Sequence, residues 1–110
     1  MYAELKSVGS PDCENLSQWA PDCQEWSLPL WLWCGLVGGG DEESFVVVVC
    51  SVEWVRAEIG ERGIFDGRHH IIVDSFKWDR IQEYLGKRVS ACSGSCWKEV
   101  AEKLSRLGLW

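Results

Sequence analysis

The stretch "SLPLWLWCGLVGGGDEESFVVVVCS", residues 27–51, decides the fold. Residues 28–37 form an unbroken apolar run. Residues 38–43, "GGGDEE", hold glycines and acids that turn the chain, and residues 44–51 are dominated by valine. Valine is stiff at χ1 and favours extended backbone, so the reading is strand, turn, strand. This is a hairpin with an acidic tip, and its valine run reads as a strand buried on both faces. On the first strand Leu28, Leu30, Leu32 and Cys34 share one face while Trp31 and Trp33 share the other, because successive side chains point to opposite sides. The connection at 9–26 is long enough to cover one of those faces.

Toward the C-terminus, Ser51 suits the cap of a helix in "VEWVRAEIGERG", with Trp54, Val55 and Ile59 on one face and Gly63 as its stop. "HHIIVDSF" (69–76) reads as a strand. From Ser75 the apolar positions Trp78, Ile81, Leu85 and Cys92 recur at helical spacing. Gly86 interrupts that helix and weakens it by up to about 1 kcal/mol. After "SGS" at 93–95, Trp97, Val100, Ala101, Leu104 and Leu107 line a last helix that Gly108 ends. Toward the N-terminus, "YAELKSV" (2–8) alternates like a short strand. The stretch "GSPDCENLSQWAPDCQEW" (9–26), with two Pro-Asp pairs, reads as a loop or short-helix connection that Leu16 and Trp19 can pin to the core. The expected fold is α+β, in the order β-loop-β-β-α-β-α-α: a small, mainly antiparallel sheet with its helices packed mainly on one face.

With 110 residues, 46% hydrophobic and 25% charged, the chain reads as one domain over residues 1–110 that folds without covalent staples. No run reaches the length of a membrane span, and "MYAELKSVGSPDCENL" lacks the basic and apolar pattern of an export signal. A cytoplasmic protein is therefore expected, in which three disulfides are disfavoured. Of the six cysteines, Cys34 and Cys50 lie in strand-like apolar runs, where a free thiol behaves as a small hydrophobe.

The net charge of −6 is unevenly spread. Residues 1–50 hold eight acids and one lysine, net −7; residues 51–110 hold nine acids and ten bases, net +1. Such a field repels phosphate backbones, which argues against direct binding of nucleic acid or an anionic membrane. Catalytic motifs are missing: there is no G-x-S-x-G, P-loop, H-E-x-x-H or C-x-x-C. The glycines at 38–40 precede acids rather than a phosphate-binding helix. His69 and His70 are adjacent, so on a strand they point to opposite faces and cannot easily share a metal. One of them with Cys92 and Cys96 is the nearest zinc arrangement, and the "SGS" break opposes it. No cofactor or metal is expected.

The ordered segments "AELKS…SPD", "EESFVVVVCS", "GIFDGRHHIIVDSFKWDRI" and "SCWKEVAEKLSRLGLW" resemble the immunity protein 8 family of bacterial polymorphic toxin systems, from Ala3 to Trp110. The "GRH" before an apolar strand and the last-helix motif are the most specific of these. The resemblance implies a small cytosolic protein that binds and neutralises one toxin domain. It assigns no catalytic residue, and Arg68 and His69 read as holding a turn by hydrogen bonds.

An inhibitor needs tight binding without turnover, which suits an acidic surface, eight tryptophans and absent catalytic constellations. Against it stand a thiol-dependent or zinc-binding small enzyme and an acidic adaptor. The expected partner is a cognate toxin domain, basic and nucleolytic in kind, whose groove an acidic protein fills as a phosphate mimic. Candidate binding residues are Asp12, Glu14, Asp22 and Glu25 on the connection, and Asp41, Glu42 and Glu43 at the hairpin tip. Placed in loops, these acids can converge on one edge. Trp19 and Trp26 are the candidate interface aromatics, whereas Trp54, Trp78 and Trp97 read as core.

Overall fold

In a computed structural model describing residues 1–110, the hairpin forms the middle of a four-stranded sheet. The strands are β1 (Ala3–Gly9), β2 (Ser27–Leu36), β3 (Glu43–Ser51) and β4 (His70–Val73), ordered β1-β2-β3-β4. β1, β2 and β3 are antiparallel neighbours, while β4 runs parallel to β3. A parallel pair needs a crossover, and α1 (Val52–Arg62) supplies it. α2 (Trp78–Ser90) and α3 (Trp97–Leu104) complete the chain order.

The register sets Leu28 opposite Val49, Leu30 opposite Val47 and Leu32 opposite Phe45. All six are at most 1% exposed. Each buried side chain of this size contributes roughly 1.5–3 kcal/mol, and a one-residue slip would turn the whole set to the other face. Ile81, Leu85 and Val89 of α2 and Val100, Ala101 and Leu104 of α3 close over this face in one cluster. α2 and α3 have the apolar stripes expected of them, although α2 stops at Ser90, before Cys92, and α3 at Leu104, before Leu107 and Gly108.

α1 departs from the expected arrangement, because it lies on the opposite face from α2 and α3. Its Trp54 stacks on His70 at 6.0 Å and meets Phe65 edge-on at 5.7 Å. His70 pairs with Val48, on the face away from Val47 and Val49. No residue of α1 is fully buried and Ile59 is 45% exposed, so the expected Trp54, Val55 and Ile59 stripe covers rather than fills. Both caps are realised. Ser51 accepts from the Trp54 N–H at 3.0 Å, and Gly63 takes φ 80° with its N–H on the Ile59 carbonyl.

β3 is not buried on both faces as its valines suggested: Phe45, Val47 and Val49 are sealed, whereas Val46 and Val48 are half-buried. The chain end pairs with β3 on the edge that β4 occupies, ahead of the first β4 residue. Leu109 exchanges two backbone hydrogen bonds with Val46, both 2.8 Å. Gly108 permits this approach, since a Cβ there would lie 3.1 Å from both the Phe45 Cβ and the Val46 carbonyl.

Candidate partner-binding surfaces

The connection from Ser10 to Trp26 is irregular but pinned. The Ser10 hydroxyl donates to the Pro29 carbonyl at 2.7 Å, and Leu16 is 7% exposed in the core. Trp19, Trp26 and Phe76 form an edge-to-face triad with centroids 4.7–5.6 Å apart. Trp26, expected as an interface aromatic, is therefore corrected: it is 7% exposed and its ring packs the connection onto the core. Trp19 is half-buried on top of it. Asp12, Glu14, Asp22 and Glu25 are all exposed on the outside of this segment. Asp22 shares a shallow depression of about 410 Å³ with Glu53 and Asp74 from the second half of the chain.

The hairpin tip presents Asp41 and Glu42 to solvent, while Glu43 is half-buried as the first residue of β3. The Glu43 carboxylate accepts the Trp110 indole N–H, and Trp110 stacks on Phe45 at 5.9 Å. The tip curls back over β2, because a Cβ on Gly35 would run into the Asp41 carbonyl. Between the tip and Trp97 of α3 lies a cleft of about 300 Å³ lined by Leu36, Asp41, Glu42 and Glu43.

These two acidic groups do not converge. The connection returns at Ser27 and is tied to Pro29, while the tip follows Leu36. The run from Pro29 to Leu36 alone spans about 25 Å at the usual rise of a strand. The acids thus stand at opposite ends of β2, because the loop joining β1 to β2 and the loop joining β2 to β3 leave from opposite ends of the strand they share.

The face of the sheet away from α2 and α3 is only partly covered. Trp31 is 39% exposed, Leu109 62% and Ile72 49%, with Pro29, Trp33, Val46 and Val48 half-buried around them. Across this face the register aligns Gly9, Trp31 and Val46, and the isolated bridge adds Leu109 beyond. Strand alternation had grouped Trp31 with Trp33; what it could not supply was the position of α1, which covers only the β3–β4 side.

Thiol and imidazole chemistry has little support in the geometry. Burial pushes the Cys34 thiol up to about 12, aided by the neighbouring Cys92 and Glu42, and pushes Cys50 up to about 11. Burial raises Cys92 as well. Nucleophilic cysteines are shifted the other way. His69 adopts φ 60°, with its Nε2 2.7 Å from the Ser105 carbonyl, and His70 Nδ1 lies 2.7 Å from the Arg68 carbonyl. The Arg68 N–H donates to Asp66, closing the turn before β4. No group of three His, Cys, Asp or Glu side chains is arranged to hold a metal ion, and no helix is long and apolar enough to cross a membrane. A groove of about 410 Å³ between β4 and α2 is lined by His70, Ile72, Asp74, Ser75, Arg80 and Tyr84, among others; its His70 is engaged through Nδ1 with the Arg68 carbonyl and its Asp74 with the Ser75 backbone N–H.

Among known proteins, the family model described as Immunity protein 8 matches residues 3–110. No curated protein and no solved structure gives a match.

Proposed function

This chain belongs to the Immunity protein 8 family, and we propose that it acts in the cytoplasm as a stoichiometric inhibitor, binding a cognate bacterial toxin domain and neutralising it without turnover. The observation that carries this reading is the family match over essentially the whole chain. The partner we infer is basic, and a nuclease is the class that suits best: its substrate groove attracts phosphate, and a protein of net charge −6 competes for the same field.

The acids divide the work by position. Asp41 and Glu42 at the tip, with Glu43 behind them, steer a basic surface toward one end of the molecule. Asp12, Glu14, Asp22 and Glu25 steer toward the other, where Trp19 offers a half-buried aromatic edge. The two groups are further apart than the Debye length of about 8–10 Å at physiological salt, so each acts as a separate local field.

The test is co-expression with the C-terminal domain encoded by the gene immediately upstream. Rescue of growth and a 1:1 complex on size-exclusion chromatography are expected. A domain that kills equally with and without this protein, and elutes apart from it, refutes the proposal.

A further inference from the structure

The uncovered strip of the sheet lies on β1 to β3, the same part of the chain that carries the acid. Trp31 sits at its centre, resting against Gly9, where a Cβ would be 3.8 Å from the indole ring. Val46 and Leu109 extend the row to the far edge, and Pro29 and Val48 form the row beside it. On the other side of the sheet the inner-face residues Leu28, Leu30, Leu32, Phe45, Val47 and Val49 are sealed in the core with α2 and α3, so this strip is the apolar surface of the hairpin that folding leaves unpaired. A contiguous, partly exposed apolar surface centred on a tryptophan is the usual composition of an interface centre.

Charge selects the occupant. Residues 1–50 contain eight acids, and Lys6 is their only base. Lys6 is held 2.8 Å from Glu4 and donates to the Gly39 carbonyl at 3.1 Å, so no free cation stands on these strands. Acids flank the strip at both ends of β2. A second copy would bring like charge against like, and a nucleic acid would be repelled.

We propose that this strip, centred on Trp31 and completed by Leu109, is the surface on which the toxin domain docks, the partner presenting an apolar centre with a basic rim. The inference rests on the inhibitory reading above and adds where the tightness comes from: the acids set the approach, and Trp31 sets the residence time.

Affinity of the full chain for the upstream-encoded toxin domain, measured by biolayer interferometry, tests it with three neutral variants. Trp31→Gln should weaken binding on the order of 30-fold or more, chiefly through faster dissociation, and Leu109→Gln about tenfold. Tyr84→Gln removes an aromatic of similar exposure, 43%, from α2, outside the strip, and should bind as wild type. Circular dichroism melts identify a variant that fails to fold, and Leu109→Gln carries the test if Trp31→Gln is lost. Wild-type affinity in both strip variants overturns the proposal while leaving the inhibitory reading intact. A free chain that is dimeric, with Trp31→Gln dissolving the dimer but not the complex, assigns the strip to a second copy and also overturns it. Absence of binding by the wild type removes the inhibitory reading, and this inference with it.

Discussion

Ser51 and Trp26 are joined twice: the Ser51 N–H donates to the Trp26 carbonyl at 3.0 Å, and the Trp26 N–H donates to the Ser51 hydroxyl at 3.3 Å. The same hydroxyl donates to the Gln24 carbonyl at 2.6 Å and accepts from the first turn of α1. One fully buried oxygen thus ties the end of the connection to the start of the crossover helix.

Ser51→Ala should therefore cost more than an ordinary cap, about 2–3 kcal/mol, because it leaves a buried N–H and a carbonyl without partners as well as uncapping α1. Urea unfolding measures it. A loss below about 0.5 kcal/mol would mean that the hydroxyl is dispensable.

Neutralising the tip with Asp41→Asn and Glu42→Gln should slow association with a basic partner and flatten its salt dependence, leaving dissociation nearly unchanged. Glu43 is excluded because its carboxylate holds Trp110. Since the connection acids lie about 25 Å away along β2, their neutralisation should add independently to the tip's effect. Stopped-flow rates across a salt series read both; strong non-additivity would contradict the separation.

Thiol labelling should divide the cysteines by burial. Exposed Cys23 and Cys96 should react with a disulfide reagent at once, and buried Cys34 and Cys50 only as the protein unfolds. The same burial sets an alkaline limit. An unfolded thiol ionises near 9, the folded Cys50 and Cys34 only at about 11 and 12. Above pH 9 the unfolded chain therefore releases protons that the folded chain retains, and stability falls as pH rises toward 11–12. Cys34→Ala should lessen that slope in denaturant melts between pH 8 and 11.

Glu99 governs part of the acid side. The Ser95 N–H and hydroxyl donate to its carboxylate at 2.9 Å and, with Lys103 nearby, hold it below the usual carboxylate range. A depressed folded pKa gives stabilisation that is present above the ordinary carboxylate pKa and lost as pH falls through the folded value. Glu99→Gln should thus reduce the loss of stability on acidification while lowering the stability at neutral pH. Identical acid limbs for variant and wild type would exclude a role for this contact.

Local pattern was enough to read the hairpin, the strand at His70, the two amphipathic helices and both caps of α1. Period-2 and period-3.6 spacing, Ser before a helix and Gly after it are properties of neighbours in the chain, and they report which residues share a face. The grouping of Leu28, Leu30 and Leu32 against Trp31 and Trp33 was legible for the same reason, as was the family resemblance carried by segments of contiguous sequence.

Which face received the helices was not legible, because two faces of one strand compete for partners that arrive from distant segments. β4 pairs parallel to β3, which sends α1 across the sheet while α2 and α3 remain beneath it. That division leaves Trp31 partly exposed, whereas Trp26, five residues earlier on the other face, is buried against Trp19 and Phe76. The separation of the acids has the same origin: loops only eleven residues apart along the chain, at the two ends of β2, become opposite ends of the molecule once the intervening residues are extended. Extended backbone converts sequence distance into length, and only the packing of the sheet decides which of its two surfaces remains for a partner.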